Sequence, residues 1–329
     1  MSARLGFPTT LLEMQRLFPD EQAAATYLRA VRWPDGFACR YCGRQGDPYL
    51  FANRPAVLRC RKCQHDTSIT SDTVMKDTRT PLLVWFGAAF LVTTQTPGES
   101  ALQIQHQLGL SRYETAFQIL HKLRAAMVRP EIDRIGHNWP VEVDETYVGG
   151  KTRGEGRGIH HKTIVVGAVE VRTKVAKGGK RPMYAGRLRL RGVKDRGAKA
   201  LEAFVTGSVE PHSHIVTDGW VGYDGLNALG YDHKPAVLGG DPEKAEQALP
   251  MIHLVFSNLK AWILGTHHGV SPQHLQAYLN EFVFRFNRRF YPMTAFHSVL
   301  GLASRVESPT YESLYDGKWV HPNQGAHCP

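Results

Sequence analysis

The 329-residue sequence is short of three things, and each shortage excludes something. Long apolar runs are missing. No stretch approaches the ~20 apolar residues of a membrane span, and MSARLGFPTTLLEMQRLFP has no apolar core of signal-peptide length. The expectation is a soluble, intracellular protein with no membrane partner. Cysteine is scarce: of five, four fall in two tight pairs and Cys328 stands alone near the end, which suits metal binding better than a disulfide framework. Acidic residues are the minority, 30 against 40 Lys and Arg, giving a net charge of +10. That balance favours a polyanionic partner, nucleic acid first, through counterion release. Internal repeats and low-complexity tracts are also absent, and the length suits two or three domains.

What is present comes in a clear order. Residues 10–30 have helical apolar spacing broken at Pro19, so two short helices lead into the cysteine region. From 78 to 128 the pattern is helical again, with a turn signal at Pro97-Gly98. At 139 the character changes to β-branched runs (PVEVDETYVG, TIVVGAVEV, MYAGRLRLRGV), then a helix (AKALEAFV), a short strand (HIVTD) and another near 231–238. After Pro250 the chain reads as helical to about 290. The expected divisions are 1–75 for the first helices and cysteine region, 76–135 for a helical region, 136–295 for an α/β domain with a mixed sheet, and 296–329 for a tail. The whole is an α+β multidomain chain.

Cys39-Arg-Tyr-Cys42 and Cys60-Arg-Lys-Cys63 are two knuckles seventeen residues apart, a spacing that closes four thiolates around one zinc. Gly43 and Gln64 follow them, residues suited to a tight turn or an exposed position. A closed four-cysteine shell leaves no open coordination position, so this zinc is structural. Further on, Ser100–Leu108 and Ser111–Arg124 pair a short helix with a longer one across Gly109, as in a helix-turn-helix. Ser111 is placed to cap the second helix, and Arg112, Tyr113 and Thr115 would meet DNA at its start. Helical hairpins of this kind also serve purely as packing units.

In Val141-Glu-Val-Asp144 the period of two sets Glu142 and Asp144 on the face opposite the valines. Asp218 ends another short strand before Gly219. Carboxylates at the ends of adjacent strands share hard divalent cations. Glu142 and Glu145 read as solvated or supporting groups rather than ligands.

VDETYVGGK around Asp144, TDGWVGY around Asp218 and SNLKAWILGTHHGVSPQHLQAYLNEFVFRFNRR together resemble the zinc-ribbon DDE transposases of bacterial insertion sequences, from the cysteine knuckles to about residue 291. The resemblance implies a ribonuclease-H-like fold, two catalytic Mg2+ or Mn2+ ions, and cleavage and transfer of DNA strands. It also implies terminal-repeat and target DNA as partners, a dimer or higher oligomer on DNA, and a cytoplasmic, nucleoid-associated place. The chain departs from the common pattern at the third catalytic position, where His253 stands in place of Glu, thirty-five residues after Asp218. Some branches of the family carry His there. A neutral imidazole ligates a divalent ion, with a shift of preference toward manganese. Glu243 and Glu246 are rival third ligands.

Basic residues complete the reading. Lys260 lies two helical turns beyond His253, within reach of a phosphate near the metals. Lys151, with Arg153 and Arg157, follows the first strand, and Arg285, Arg288 and Arg289 close the last helix, with interleaved Phe282, Phe284 and Phe286 read as core. Two other readings fit the same residues: a non-catalytic DNA-binding protein, and a nuclease of the same fold.

Overall fold

A computed structural model describes residues 6–128, 133–149, 162–174, 183–236 and 248–320. The chain divides into two compact units, one of residues 1–130 and 288–319, the other of 131–287 and 320–329.

The first unit opens with α1 (Leu11–Leu17) and α2 (Glu21–Arg32), each begun by a side-chain cap: Thr10 accepts from the Glu13 N–H and Asp20 from the Ala23 N–H. A three-stranded antiparallel sheet follows, β1 (Tyr49–Leu50), β2 (Val57–Arg59) and β3 (Asp66–Ser68). Helix α3 (Leu82–Thr94) is apolar all round and is buried accordingly. No side chain of its own caps it. The Glu21 carboxylate does so from α2, accepting from the N–H groups of Leu82 and Leu83, both at 2.9 Å. Helices α4 (Ala101–Gln107) and α5 (Tyr113–Ala126) form the expected hairpin, with a capping box of Ser100 and Gln103 starting α4. The cap of α5 differs from expectation: the N-cap residue is Arg112, not Ser111, and no side chain bonds there.

The stretch read as a tail contains most of α9 (Pro292–Ala303) and α10 (Tyr311–Tyr315) after the long helices of the second unit. Apolar residues at helical spacing, Ala295, Phe296, Val299, Leu300 and Ala303, give α9 a buried face that packs on α3, α5 and α2. Phe296 joins Phe18, Tyr27 and Phe86 in one aromatic cluster with ring centroids 4.9–6.1 Å apart.

The second unit is built on a five-stranded mixed sheet of β4 (Val141–Val148), β5 (Thr163–Thr173), β6 (Met183–Val193), β7 (His214–Thr217) and β8 (Asp232–Pro235), in the order β6-β5-β4-β7-β8. The pairs β4–β5 and β5–β6 are antiparallel; β4–β7 and β7–β8 are parallel. Helix α6 (Ala198–Ser208) covers one face, where Leu201, Phe204 and Val205 pack on Val141, Val143 and Ile215. Helices α7 (Pro250–His267) and α8 (Pro272–Phe286) cover the other, where Ile252, Val255, Phe256 and Leu279 pack on Val165, Val169 and Leu188. This order, with helices on both faces, is the ribonuclease-H-like arrangement, and with the ribbon unit it gives the expected fold class. The outer strand β6 is bonded by side chains: Asn287 accepts from the Leu188 N–H at 2.8 Å and donates to its carbonyl at 3.2 Å, and Gln276 accepts from the Gly192 N–H at 3.0 Å.

Among the described residues, no helix is long and apolar enough to cross a membrane.

Candidate active site and zinc centre

The two knuckles turn through left-handed residues, Gly43 at φ 68° and Gln64 at φ 59°. These turns bring the Cys39 and Cys63 sulfurs to 3.6 Å and those of Cys42 and Cys60 to 3.7 Å, and all four lie within 4.8 Å of one another. Sulfurs on a tetrahedron with ~2.3 Å metal–sulfur bonds stand about 3.8 Å apart, so the cluster already has the dimensions of a structural zinc site. Backbone N–H groups of Cys63 and Lys62 lower the pKa of the Cys60 thiol, while burial and the three neighbouring thiols raise that of Cys63, so without a cation the four sulfurs hold their protons unequally. Around the knuckles, Arg40 pairs with Asp72 at 2.7 Å and Arg61 lies over the Tyr49 ring at 4.3 Å.

In the second unit, strand alternation works as the sequence indicates. Val141 and Val143 enter the α6 core, while Glu142 and Asp144 point toward α7. Asp144 is buried, and its Oδ2 lies 3.1 Å from His253 Nε2. Gly167 pairs with Asp144 across β5 and lets the helix come this close. A Cβ there would meet Ile252 and Phe256 at 2.8 Å. The parallel register of β4 and β7 pairs Glu142 with Val216, so two residues further on Asp218 stands level with Asp144, just past the end of β7. Gly219, at φ 81°, turns the chain away, and the Asp218 carboxylate accepts from the Trp220 N–H at 3.0 Å.

These three groups do not form a closed cluster. Among the described residues, the four cysteines are the only set of three or more ligand-type side chains within 4.8 Å of one another. His253 and Asp144 touch, and Asp218 follows the end of the neighbouring strand β7.

Two glutamates read as flanking groups are buried and engaged. Glu142 accepts from the N–H groups of Met251 and Ile252, both at 2.8 Å, and so caps α7, whose own N-cap residue, Leu249, has no acceptor. Burial pushes its carboxyl up to about 7, against the pull of those two N–H groups. Glu145 accepts from Tyr223 Oη at 2.7 Å and pairs with Arg196 at 3.1 Å. Burial raises its carboxyl too, despite both partners. The only sequence signal for Glu142 was its shared face with Asp144; Gly167, Arg196 and Tyr223 gave none.

The predicted DNA-facing residues are spread over both units. Arg112 and Tyr113 are exposed and Thr115 half-buried at the start of α5. Lys260 is exposed on α7; partial desolvation and Lys162 lower its pKa, while Asp144 opposes them, so its ammonium lies within the field of the acidic site. Lys162, just before β5, was not singled out from the sequence. Arg285 pairs along its helix with buried Glu281 at 3.4 Å and lies over Trp262. Arg289 lies over Phe290, and Arg288 begins the chain's return to the first unit. Phe282 and Phe284 are buried and Phe286 packs on the same core. Lys151, Arg153, Arg157, Glu243 and Glu246 lie outside the described residues.

Comparison with known proteins bears on the family and on the cysteine cluster. Residues 136–287 match the family described as ISXO2-like transposase domain, and residues 19–66 match the transposase zinc-ribbon domain. The chain belongs to the zinc-ribbon transposases of insertion sequences. A relative from Halobacterium salinarum, an uncharacterized protein in transposable element ISH50, is 25% identical over 282 residues, covering 82% of this chain and 92% of its own. No solved structure matches the chain. The family match spans both the strand order and the four-cysteine cluster, the two features that the sequence joined in one chain.

Proposed function

We propose that this transposase binds the ends of its element and cuts and joins DNA strands, with Asp144, Asp218 and His253 as the catalytic ligand set. The observation that carries this reading is the His253 imidazole at 3.1 Å from Asp144, beside a strand end where Asp218 stands level with Asp144. Two carboxylates and one imidazole are a donor set suited to Mn2+ or Mg2+. When bound there, two such ions supply activation of the attacking water or 3′-hydroxyl and stabilisation of the leaving oxygen. The chain's own residues do the rest. Asp144 and Asp218 concentrate negative charge at two strand ends. Glu142 fixes the helix start that carries His253, and Lys260 offers a cation to a phosphate beside Asp144. DNA binding is assigned to Arg112, Tyr113 and Thr115 on α5, to Lys151, Arg288 and Arg289, and to the ribbon; Arg285 contributes through the helix it stabilises with Glu281. Two or more copies act together on DNA, one at each end of the element.

The test is cleavage of end-sequence duplexes by the full chain with Mn2+ or Mg2+. Asp144→Asn and Asp218→Asn are expected to lower cleavage by more than about a hundredfold while end binding in a gel shift is kept. His253→Ala should lose most activity and His253→Glu should move the preference from manganese toward magnesium. Undiminished cleavage by both Asn variants would sink the assignment, and a wild-type protein that binds ends without cutting them would favour the non-catalytic DNA binder.

A further inference from the structure

Trp220 lies two residues beyond Asp218 and is held in place on every side that the chain provides. Its indole Nε1 donates to the Arg196 carbonyl at 3.0 Å, and the Arg196 guanidinium lies over the ring, 4.1 Å from its centroid. Arg196 is in turn fixed by Glu145, and Glu145 by Tyr223. The Trp220 N–H is bonded to Asp218 itself. Gly222 keeps the crossing close, since a Cβ there would meet the Trp220 ring at 3.0 Å and the Arg196 carbonyl at 2.9 Å.

Despite all this, Trp220 stays 38% exposed, and Val221 beside it is 67% exposed. A tryptophan used for packing is covered, and one used as a donor needs a free N–H. Here the single polar group is already satisfied, one ring face rests on a cation, and an indole surface remains open next to the candidate catalytic carboxylate. The capacity that remains is stacking, and a flat π-surface backed by a guanidinium in a basic chain suits a nucleobase.

We propose that Trp220 is a stacking platform for an unpaired nucleobase flanking the scissile phosphodiester, and that Arg196 is its positioning residue. This inference rests on the strand-cleavage reading above. An end taken apart at the cut exposes bases that have lost their neighbours, and a rigid aromatic at that place replaces the lost stack. The chain from Glu145 through Arg196 to Trp220 ties the platform to the strand carrying Asp144, so base and phosphate are held in one frame.

The experiment uses the full-length protein, Mn2+ and an end duplex carrying 2-aminopurine at the nucleotide flanking the cut. With the wild type, the emission of the probe is expected to change on binding and to stay quenched relative to the same nucleotide in free single strand. Trp220→Leu should lower cleavage about 5- to 100-fold and release the quenching, whereas Trp220→Phe should keep most of both. Equal behaviour of the Leu and Phe variants would reduce Trp220 to a packing residue and overturn the proposal. So would a wild-type probe signal unchanged from the free duplex, a result that needs no variant to fold. Failure of the wild type to cleave any end duplex would instead overturn the underlying catalytic reading.

Discussion

Two helices, one in each unit, begin in the same way and to different ends. Both α3 and α7 have a proline at their start and no cap of their own. Each receives a glutamate from a distant part of the chain that accepts from two adjacent first-turn N–H groups. Glu21 joins two helices of the first unit. Glu142 joins a helix to the strand bearing Asp144, one residue short of His253 on that helix. The same device thus stabilises packing in one place and sets the distance between two candidate ligands in the other. The candidate ligand sets differ in parallel: the thiols of the first unit are closed to tetrahedral dimensions, while the carboxylates and imidazole proposed for the second do not form so tight a group. A structural ion is part of folding; a catalytic site must admit DNA and leave coordination positions for it.

The largest effect expected from breaking this comparison is at the cysteines. Cys39→Ser or Cys60→Ser should abolish stoichiometric zinc, measured by elemental analysis, and cost the ribbon metal-coupled folding energy on the order of 10 kcal/mol. The isolated stretch of the second unit's sheet contains no cysteine ligand, so its strand signature in circular dichroism should persist. Retained zinc in both variants would contradict the four-thiol site.

A smaller effect separates the two caps. Glu142→Ala leaves two N–H groups unpaired, one of them buried, and should destabilise the second unit by about 2–4 kcal/mol. It should also weaken manganese binding or cleavage about 10- to 100-fold, as loss of a group supporting a ligand does. Glu142→Gln, which keeps an acceptor, should recover much of this. Glu21→Ala should cost the first unit about 1–2 kcal/mol with the cleavage rate of folded protein unchanged. Equal activity losses at both glutamates would erase the distinction.

The smallest effect is shared by both units. His297 bonds to Tyr27 in the first, His233 to Thr217 in the second, and burial lowers the pKa of each imidazole below 6.5. The unfolded chain therefore takes up these protons first as pH falls, and stability present above about 6.5 is lost as pH drops through the folded values. His297→Gln should flatten this slope in thermal unfolding of the first unit, and His233→Gln in that of the second.

Much of this was legible in the sequence because it is local or periodic. Cysteine spacing announced the zinc site, strand alternation put Asp144 and Glu142 on one face, and the order of strands announced the sheet. The capping role of Glu142 was not legible, because its partners lie 109 and 110 residues away and a glutamate in a strand carries no sign of the helix it will meet. The chain from Tyr223 through Glu145 to Arg196 was hidden for the same reason. One misreading was avoidable: the apolar spacing of 295–303 already described a helix with a buried face. Glu281, four residues before Arg285, likewise offered that arginine an intrahelical partner.

The side-chain bonds along β6 bear on how copies of this chain meet. A bare sheet edge invites another chain to add a strand, a hazard that grows with local concentration. Here Asn287 and Gln276 already occupy the outward groups at Leu188 and Gly192. At the opposite edge β8 is only four residues long, carries Asp232 and Lys234, and ends in Pro235. Among the described residues, both edges of the sheet thus carry features that work against backbone pairing between copies of the chain.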